Sequence, residues 1–284
     1  MNVTIRTMRS FDLGFAAACT AAEGWTGETR QVFEGFYAHD PHGCLIARMG
    51  DRPVGICVAT CYGQSGFIGE LIVIPEERGQ GIGTRLLRQA LAYLESQGVV
   101  RVFLDGVVAA VPLYERVGFQ RLCRSLRFSG PVQPRSDPDV RLMRSQDLPA
   151  VQRLDRECFG ADRGFFLDRH FSEYPHLCLV LEQDGEIAGY VMGKRGSESV
   201  SAGPWVVQPG VSSPECLLHA LVEEVGANIP LLAGVLESHP YAAAALRAMG
   251  LAERENPPWR MRLGGAGNLG AHEACYAIGS PARG

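Results

Sequence analysis

The stretch Arg78-Gly79-Gln80-Gly81-Ile82-Gly83-Thr84 carries the clearest chemical signal in the chain. Glycines at alternate positions keep side chains out of a turn and tolerate backbone angles that other residues avoid. Successive amide N–H groups then face one concavity at the positive end of a helix dipole. That geometry binds phosphate or pyrophosphate without a lysine. A nucleotide-hydrolase P-loop would need Gly-Lys-Ser/Thr here, and Gly83-Thr84-Arg85 does not supply it. A dinucleotide fold asks for G-x-G-x-x-G and meets G-x-G-x-G instead. Asp105, after the apolar run from Val99 to Leu104, stands where such a fold places its acidic ribose ligand, so this reading stays open. A purely structural turn is the remaining alternative.

The elements that must position this turn are legible on both sides. Ile68, Leu71, Ile72, Val73 and Ile74 read as a buried strand leading in. Leu86, Leu87, Ala90, Leu91 and Leu94 recur on one helix face leading out. The chain has 284 residues, enough for two ordinary domains, and is 46% hydrophobic and 20% charged, the composition of a globular protein. A net charge of −4 offers no footprint for nucleic acid or an anionic membrane surface. The opening Met1-Asn2-Val3-Thr4-Ile5-Arg6 lacks a signal-peptide core, and no run approaches the ~20 apolar residues of a membrane span. Nine cysteines are scattered without a C-x-x-C pair; Cys57 and Cys61 have no matching ligands downstream, and the histidines show no ligand spacing. Reduced core thiols, a cytoplasmic location and no metal are expected.

The sequence also repeats itself. Val140-Arg141-Leu142-Met143-Arg144-Ser145-Gln146-Asp147-Leu148 echoes Ile5-Arg6-Thr7-Met8-Arg9-Ser10-Phe11-Asp12-Leu13, with Arg141 standing 135 positions after Arg6. Cys178-Leu179-Val180-Leu181, a polar turn and Ala188-Gly189 echo Cys44-Leu45-Ile46-Ala47, a polar turn and Val54-Gly55. Leu246, followed by Gly250-Leu251, echoes Tyr114, followed by Gly118-Phe119. Three echoes in register imply a duplicated unit. We expect one unit over residues 1–130, a linker of Pro, Ser and Asp over 131–139, and a second unit over 140–284. Where the first has its glycine turn, the second has Val207-Gln208-Pro209-Gly210-Val211-Ser212-Ser213-Pro214, whose prolines cannot supply the same row of donors.

Val73-x-Pro75-x-x-Arg78-Gly79-x-Gly81-Ile82-Gly83 resembles the acyl-CoA-binding motif of the GNAT superfamily of N-acetyltransferases, and Leu113-Tyr114-Glu115-Arg116-Val117-Gly118-Phe119 is similar to that family's L-Y-x-x-x-G-F ending. The resemblance covers the first unit. Val107 stands where many members carry Asn seven residues before the tyrosine. The whole layout resembles tandem members whose second domain is degenerate. The fold implied is α/β (α+β): two tandem units, each a mixed, mostly antiparallel sheet flanked by helices.

The chemistry implied is direct attack of a primary amine, on a small-molecule acceptor, at the thioester of acetyl-CoA. The resemblance places the pyrophosphate on the amides of Arg78, Gly79, Gln80, Gly81, Ile82, Gly83 and Thr84, and the pantetheine arm along Leu71, Ile72 and Val73. It makes Tyr114 the group that hydrogen-bonds or protonates the departing thiolate. Glu70 is the candidate base because it starts the strand where the acetyl group would lie. Trp25, Tyr37, Asp40 and Tyr62 fall in segments that wall the acceptor site in this family. Arg121, Arg124 and Arg127 read as a solvated strand face, and Trp205 and Trp259 as core of the second unit. An acetyl-CoA-binding sensor with little catalysis is the other reading the same motif allows. Either a monomer or a homodimer fits.

Overall fold

Arg6 and Asp12 close a small motif that Arg141 and Asp147 close again in the second half. In the computed structural model, which describes residues 3–25, 27–196, 198–226 and 229–284, Arg6 Nη1 donates to Asp12 Oδ2 at 2.7 Å and the Arg9 amide to the same oxygen at 2.7 Å. Arg141 Nη1 and the Arg144 amide meet Asp147 Oδ2 at 2.7 Å each. Burial alone would raise the Asp12 pKa, but Arg6 and the Arg9 amide hold it below the usual carboxylate range. The repeated letters are therefore a repeated set of bonds, each pinning a strand to the turn that opens the next helix.

The first half runs β1 (Val3–Thr7), α1 (Leu13–Ala22), α2 (Arg30–His39), β2 (Cys44–Met49), β3 (Arg52–Tyr62), β4 (Ser65–Val73), α3 (Ile82–Ser96), β5 (Arg101–Gly106), α4 (Val111–Val117) and β6 (Gln120–Gly130). The second half repeats the order with β7 (Val140–Leu142), α5 (Leu148–Phe159), α6 (Gly164–Glu173), β8 (Cys178–Gln183), β9 (Glu186–Arg195), β10 (Val200–Val207), α7 (Cys216–Val225), β11 (Leu231–Leu236), α8 (Ala242–Ala248), β12 (Ala252–Glu253), β13 (Trp259–Gly264) and β14 (Cys275–Ala277). Residues 131–139 carry neither helix nor strand. In each half the strand pairs are antiparallel except one, β4 with β5 and β10 with β11.

The strands form one sheet in the order β1-β2-β3-β4-β5-β13-β6-β11-β10-β9-β8-β7. The halves exchange strands. β13 of the second half inserts between β5 and β6, and β6 of the first half runs on to pair with β11 and β12. A buried network locks the exchange. Asp105 on β5 accepts from Arg260 Nε of β13 at 2.5 Å, and from Ser125 Oγ at 2.7 Å and Arg127 Nη2 at 3.2 Å, both on β6. Arg127 is therefore tied into the interior and does not lie on a solvated strand face. Trp259 belongs to the first sheet, half-buried, with the Arg124 guanidinium 3.9 Å from its ring centroid. Trp205 is fully buried in the second half's core.

Two layers of side chains sandwich the first sheet. On one face Ile82, Leu86, Leu87, Ala90 and Leu94 of α3 pack with Leu45, Cys57, Ala59 and Tyr114. On the other face α1 and α2 pack with Ile46, Ile56, Val58 and Phe67, and the second half adds Phe159, Phe166, Leu269 and Ala282. No helix of the described residues is long and apolar enough to cross a membrane.

Candidate active site

The chemistry predicted around the glycine turn requires an open strand edge beside it. β4 pairs with β5 only through Ser65, Gly66 and Phe67, while β3 follows β4 as far as Val73. Beyond Phe67 the β5 side of β4 is unpaired. The cause lies in the ladder with β3: Ile56 faces Ile72 and Val58 faces Gly69, so Glu70 and Leu71 together oppose Cys57. Glu70 takes φ 51, a left-handed angle unusual for a side-chain-bearing residue. This bulge bends β4 away from β5. Past it, the Ile74 amide donates to the Val54 carbonyl at 3.0 Å, so alternation turns the polar groups of Val73 outward. Arg78 Nε donates to the Val73 carbonyl at 2.8 Å, and the same guanidinium pairs with Glu23.

The turn itself is pinned from below. Glu77 is buried, pairs with Arg52, and accepts from Gln80 Nε2 at 2.8 Å. Gly79 at φ 79 and Gly81 at φ 77 are both left-handed. At Gly83 a Cβ would stand 3.3 Å from Leu113 Cδ1, so the first turn of α3 sits close on α4. Among the described residues none of the amides from Gly79 to Thr84 finds an acceptor within the chain. A continuous row of unpaired donors at a helix start is the cradle that a pyrophosphate requires. These residues fit acetyl-CoA.

Tyr114 projects from α4 with its ring against Gly106, where a Cβ would stand 2.9 Å from Cε2, and against Phe119 at 6.0 Å between centroids. Burial raises its pKa above that of an exposed tyrosine, so the hydroxyl stays protonated and able to donate. It has no hydrogen-bond partner among the described residues. Glu70 is 4% exposed, and its Oε2 is enclosed without a partner among the described residues. Burial lifts its pKa well above the carboxylate range; Glu28 adds to the rise, while Arg283 and Lys194 oppose it. Tyr114 and Glu70 both lie near the fully buried Cys57, which the bulge faces.

Other expectations resolve differently. The Asp105 side chain is fully buried, and although burial alone would raise its pKa, Arg260 and Arg127 hold it below the usual range. An aspartate spent on two arginines is not available to a ribose, which removes the support for a dinucleotide site. Val107 is 41% exposed at the start of the turn preceding α4. Asp40 accepts from the Tyr93 hydroxyl and, at 2.9 Å, from the His42 amide, on the α3 side of the sheet. Tyr62 is buried, donates to the Arg283 carbonyl at 3.0 Å, and meets the rings of Phe159 and Phe166. Trp25 and Tyr37 are half-buried beside the α1–α2 core. Among the described residues no group of His, Cys, Asp and Glu could hold a metal ion. Sequence reading missed Glu28, Lys194 and Arg283, whose charges act on Glu70 from three remote segments.

The second half opens at the same place and is then filled. β10 pairs with β11 only at Val200, Ser201 and Ala202. Where β4 keeps a free edge, β14 lies against β10, with Trp205 facing Ala277 and Val206 facing Cys275. In its turn the Gln208 amide donates to the Ala188 carbonyl at 2.8 Å and the Cys216 amide to Ser213 at 3.1 Å, and Trp205 Nε1 reaches the Pro214 carbonyl at 3.2 Å.

Comparison with known proteins decides the family. The model of the acetyltransferase (GNAT) family matches residues 11–119, and that of an acetyltransferase (GNAT) domain matches residues 151–277. N-alpha-acetyltransferase 30 of Schizosaccharomyces pombe is 32% identical over 108 residues, 35% of this chain and 72% of that protein. The chain belongs to the GNAT family of acetyltransferases. This GNAT chain is also 23% identical over 201 residues to the uncharacterized N-acetyltransferase YitH of Bacillus subtilis, covering 69% of the chain and 70% of that protein. In fold it matches the crystal structure of a candidate acetyltransferase of Pyrococcus horikoshii with a TM-score of 0.84 at 22% identity, over 99% of this chain and 96% of that one. It is thus a tandem GNAT enzyme.

Proposed function

We propose that this GNAT enzyme moves an acetyl group from acetyl-CoA to a primary amine on a small-molecule acceptor, and that the reaction takes place in the first half alone. One observation carries the reading: the free amide row from Gly79 to Thr84 continues into the free edge of β4, and the second half has neither. We accordingly read residues 1–130 as the catalytic unit and 140–284 as a degenerate copy that walls the acceptor side, with 131–139 between them.

Acetyl-CoA supplies an activated thioester. The chain's part begins with the open edge of β4 along Leu71, Ile72 and Val73, whose outward-facing polar groups align the donor as an added strand and present an N–H where negative charge grows on the acetyl oxygen. Glu70, enclosed and raised in pKa, takes the proton from the incoming ammonium, directly or through one water. Tyr114 holds its proton for the departing sulfur. With reference values of about 10 for tyrosine and about 8.5 for a thiol, full transfer costs roughly 2 kcal/mol, and a hydrogen bond suffices. Bending at Glu70 does two jobs in this account: it opens the cleft and turns the carboxyl toward the acceptor face.

The test is amine-dependent release of free thiol from acetyl-CoA. We expect release with at least one class of primary amine and its loss in Gly81→Val. Thiol release that proceeds equally in that variant contradicts the assignment.

A further inference from the structure

The acceptor face holds charges that no neighbour satisfies. Glu28, in the loop between α1 and α2, and Glu70, at the bulge of β4, each bury an Oε2 without a partner among the described residues. Lys194 reaches across from β9 of the second half, and among the described residues its ammonium donates to the Gly27 carbonyl alone. Arg283 completes the group. Its guanidinium lies 4.8 Å from the Phe166 centroid and 5.6 Å from that of Phe36, one ring from each half, with no acceptor or carboxylate partner among the described residues.

Arg283 is nonetheless firmly held. Its carbonyl accepts from Tyr62, and its neighbour Gly284 accepts from Arg163 Nη1 at 2.9 Å. Arg163 is itself fixed by two bonds to Asp155, at 2.7 and 2.9 Å. On the other side Ala282 fits against Gly69, where a Cβ would stand 2.3 Å from the Ala282 carbonyl oxygen. The segment 279–284 is thus strapped to both halves one residue from Glu70, and the cation it presents has aromatic walls and no anion. Such a guanidinium matches the planar fork of a carboxylate.

We propose that the acceptor is an amine bearing a carboxylate, an amino acid or a close relative, with its amino group toward Glu70 and Glu28 and its carboxylate on Arg283 and Lys194. This rests on Glu70 marking the reacting end of the acceptor site. The charge balance argues for a zwitterion. A lone diamine would leave both cations unanswered, and a phosphate dianion would crowd two carboxyls.

Matched probes test the inference: L-lysine with cadaverine, L-ornithine with putrescine, L-phenylalanine with phenethylamine. Two quantities are measured for each, kcat/KM with acetyl-CoA and the dissociation constant in the presence of CoA. We expect the acid of at least one pair to be favoured by about tenfold or more, the scale of a charge-assisted hydrogen bond. Arg283→Gln brings that ratio toward one and Arg283→Lys, which keeps the charge but not the fork, keeps part of it, which separates recognition from a folding defect. Glu70→Gln lowers kcat yet leaves the acid bound more tightly than its partner. Equal constants within every pair, no binding by either member, or an Arg283→Gln that weakens both members alike overturns the inference. Full turnover in Glu70→Gln with the ratio intact would instead remove the base assignment and leave the anion site standing.

Discussion

At the residue scale two candidate proton carriers, Glu70 within the bulge of β4 and Tyr114 on α4, lie near the same buried Cys57. Glu70 works as a base only when deprotonated, and its pKa is raised by burial, so activity is full above that raised value and lost as pH falls through it. The acidic limb of kcat should lie above the ordinary carboxylate value of about 4.3. Glu70→Gln should remove the limb and lower kcat by roughly 10²–10⁴; a rate profile across pH for both forms reads this. Tyr114→Phe should lower kcat by roughly 10², the small end of the same range, with little change in KM, because a hydrogen bond and not full transfer is lost. Steady-state kinetics on the same acceptor checks it, and wild-type turnover would remove the tyrosine from the mechanism. A third titration concerns stability. His170 is buried against the Gly193 carbonyl at 2.8 Å, and burial presses its pKa down to about 4. An unfolded histidine titrates near 6.5, so between those values the unfolded chain binds more protons and stability falls as pH drops. Denaturant unfolding across that window should show the slope, and His170→Gln should flatten it. Tyr114 could be named as a candidate from the sequence because the residues that single it out lie within a few positions. Lys194 and Arg283 were not, since their meeting with Glu70 depends on how two halves pack, and an isolated Lys or Arg carries no address.

At the element scale the strand–turn–helix unit was readable almost whole. Of the helix face predicted after the turn, Leu86, Leu87, Ala90 and Leu94 are buried and Leu91 is half-buried; of the run before it, Ile68 and Ile72 are buried, while Leu71, Val73 and Ile74 are half-buried at the open end of β4 and just past it. The bulge was not readable. Nothing in Gly-Glu-Leu announces that Glu70 will adopt a left-handed angle; the mismatch with β3 imposes it. The glycines divide into two kinds with different expected failures. At Gly81 a Cβ meets no atom within 4 Å, so Gly81→Ala acts through its φ of 77 alone. About 1–2 kcal/mol of backbone strain should raise the CoA dissociation constant about tenfold while the fold survives. At Gly69 the space is taken by the backbone of Ala282, so Gly69→Ala should displace the strap from the bulge. A fall in melting temperature that is clearly larger in Gly69→Ala than in Gly81→Ala is the expected pattern.

At the scale of the whole molecule the duplication was legible and the exchange of strands was not. Echoes such as Arg6 and Arg141 keep register because the bonds they make are local. β6 and β13 are ordinary alternating strands, and their sequences fit either sheet. Topology places β13 between β5 and β6, and the buried Asp105–Arg260 pair holds it there. A fragment of residues 1–130 would therefore lose the neighbour of β5, strip β6 of its pairing with β11 and β13, and leave Asp105 buried without Arg260. We expect that fragment to show no cooperative unfolding transition, and an active, cooperatively folding fragment would contradict the strand exchange. The second half completes the first sheet, and in the function proposed above it also walls the acceptor side with Lys194 and Arg283.

In the function proposed above, one of two related clefts in this chain holds acetyl-CoA. Calorimetric titration with CoA tests it most directly, because stoichiometry separates the halves without knowledge of the acceptor. We expect one site per chain, lost in Gly81→Val and indifferent to substitution of Ser212 and Ser213 in the second turn. Two sites per chain, or a single site that survives Gly81→Val, would contradict it.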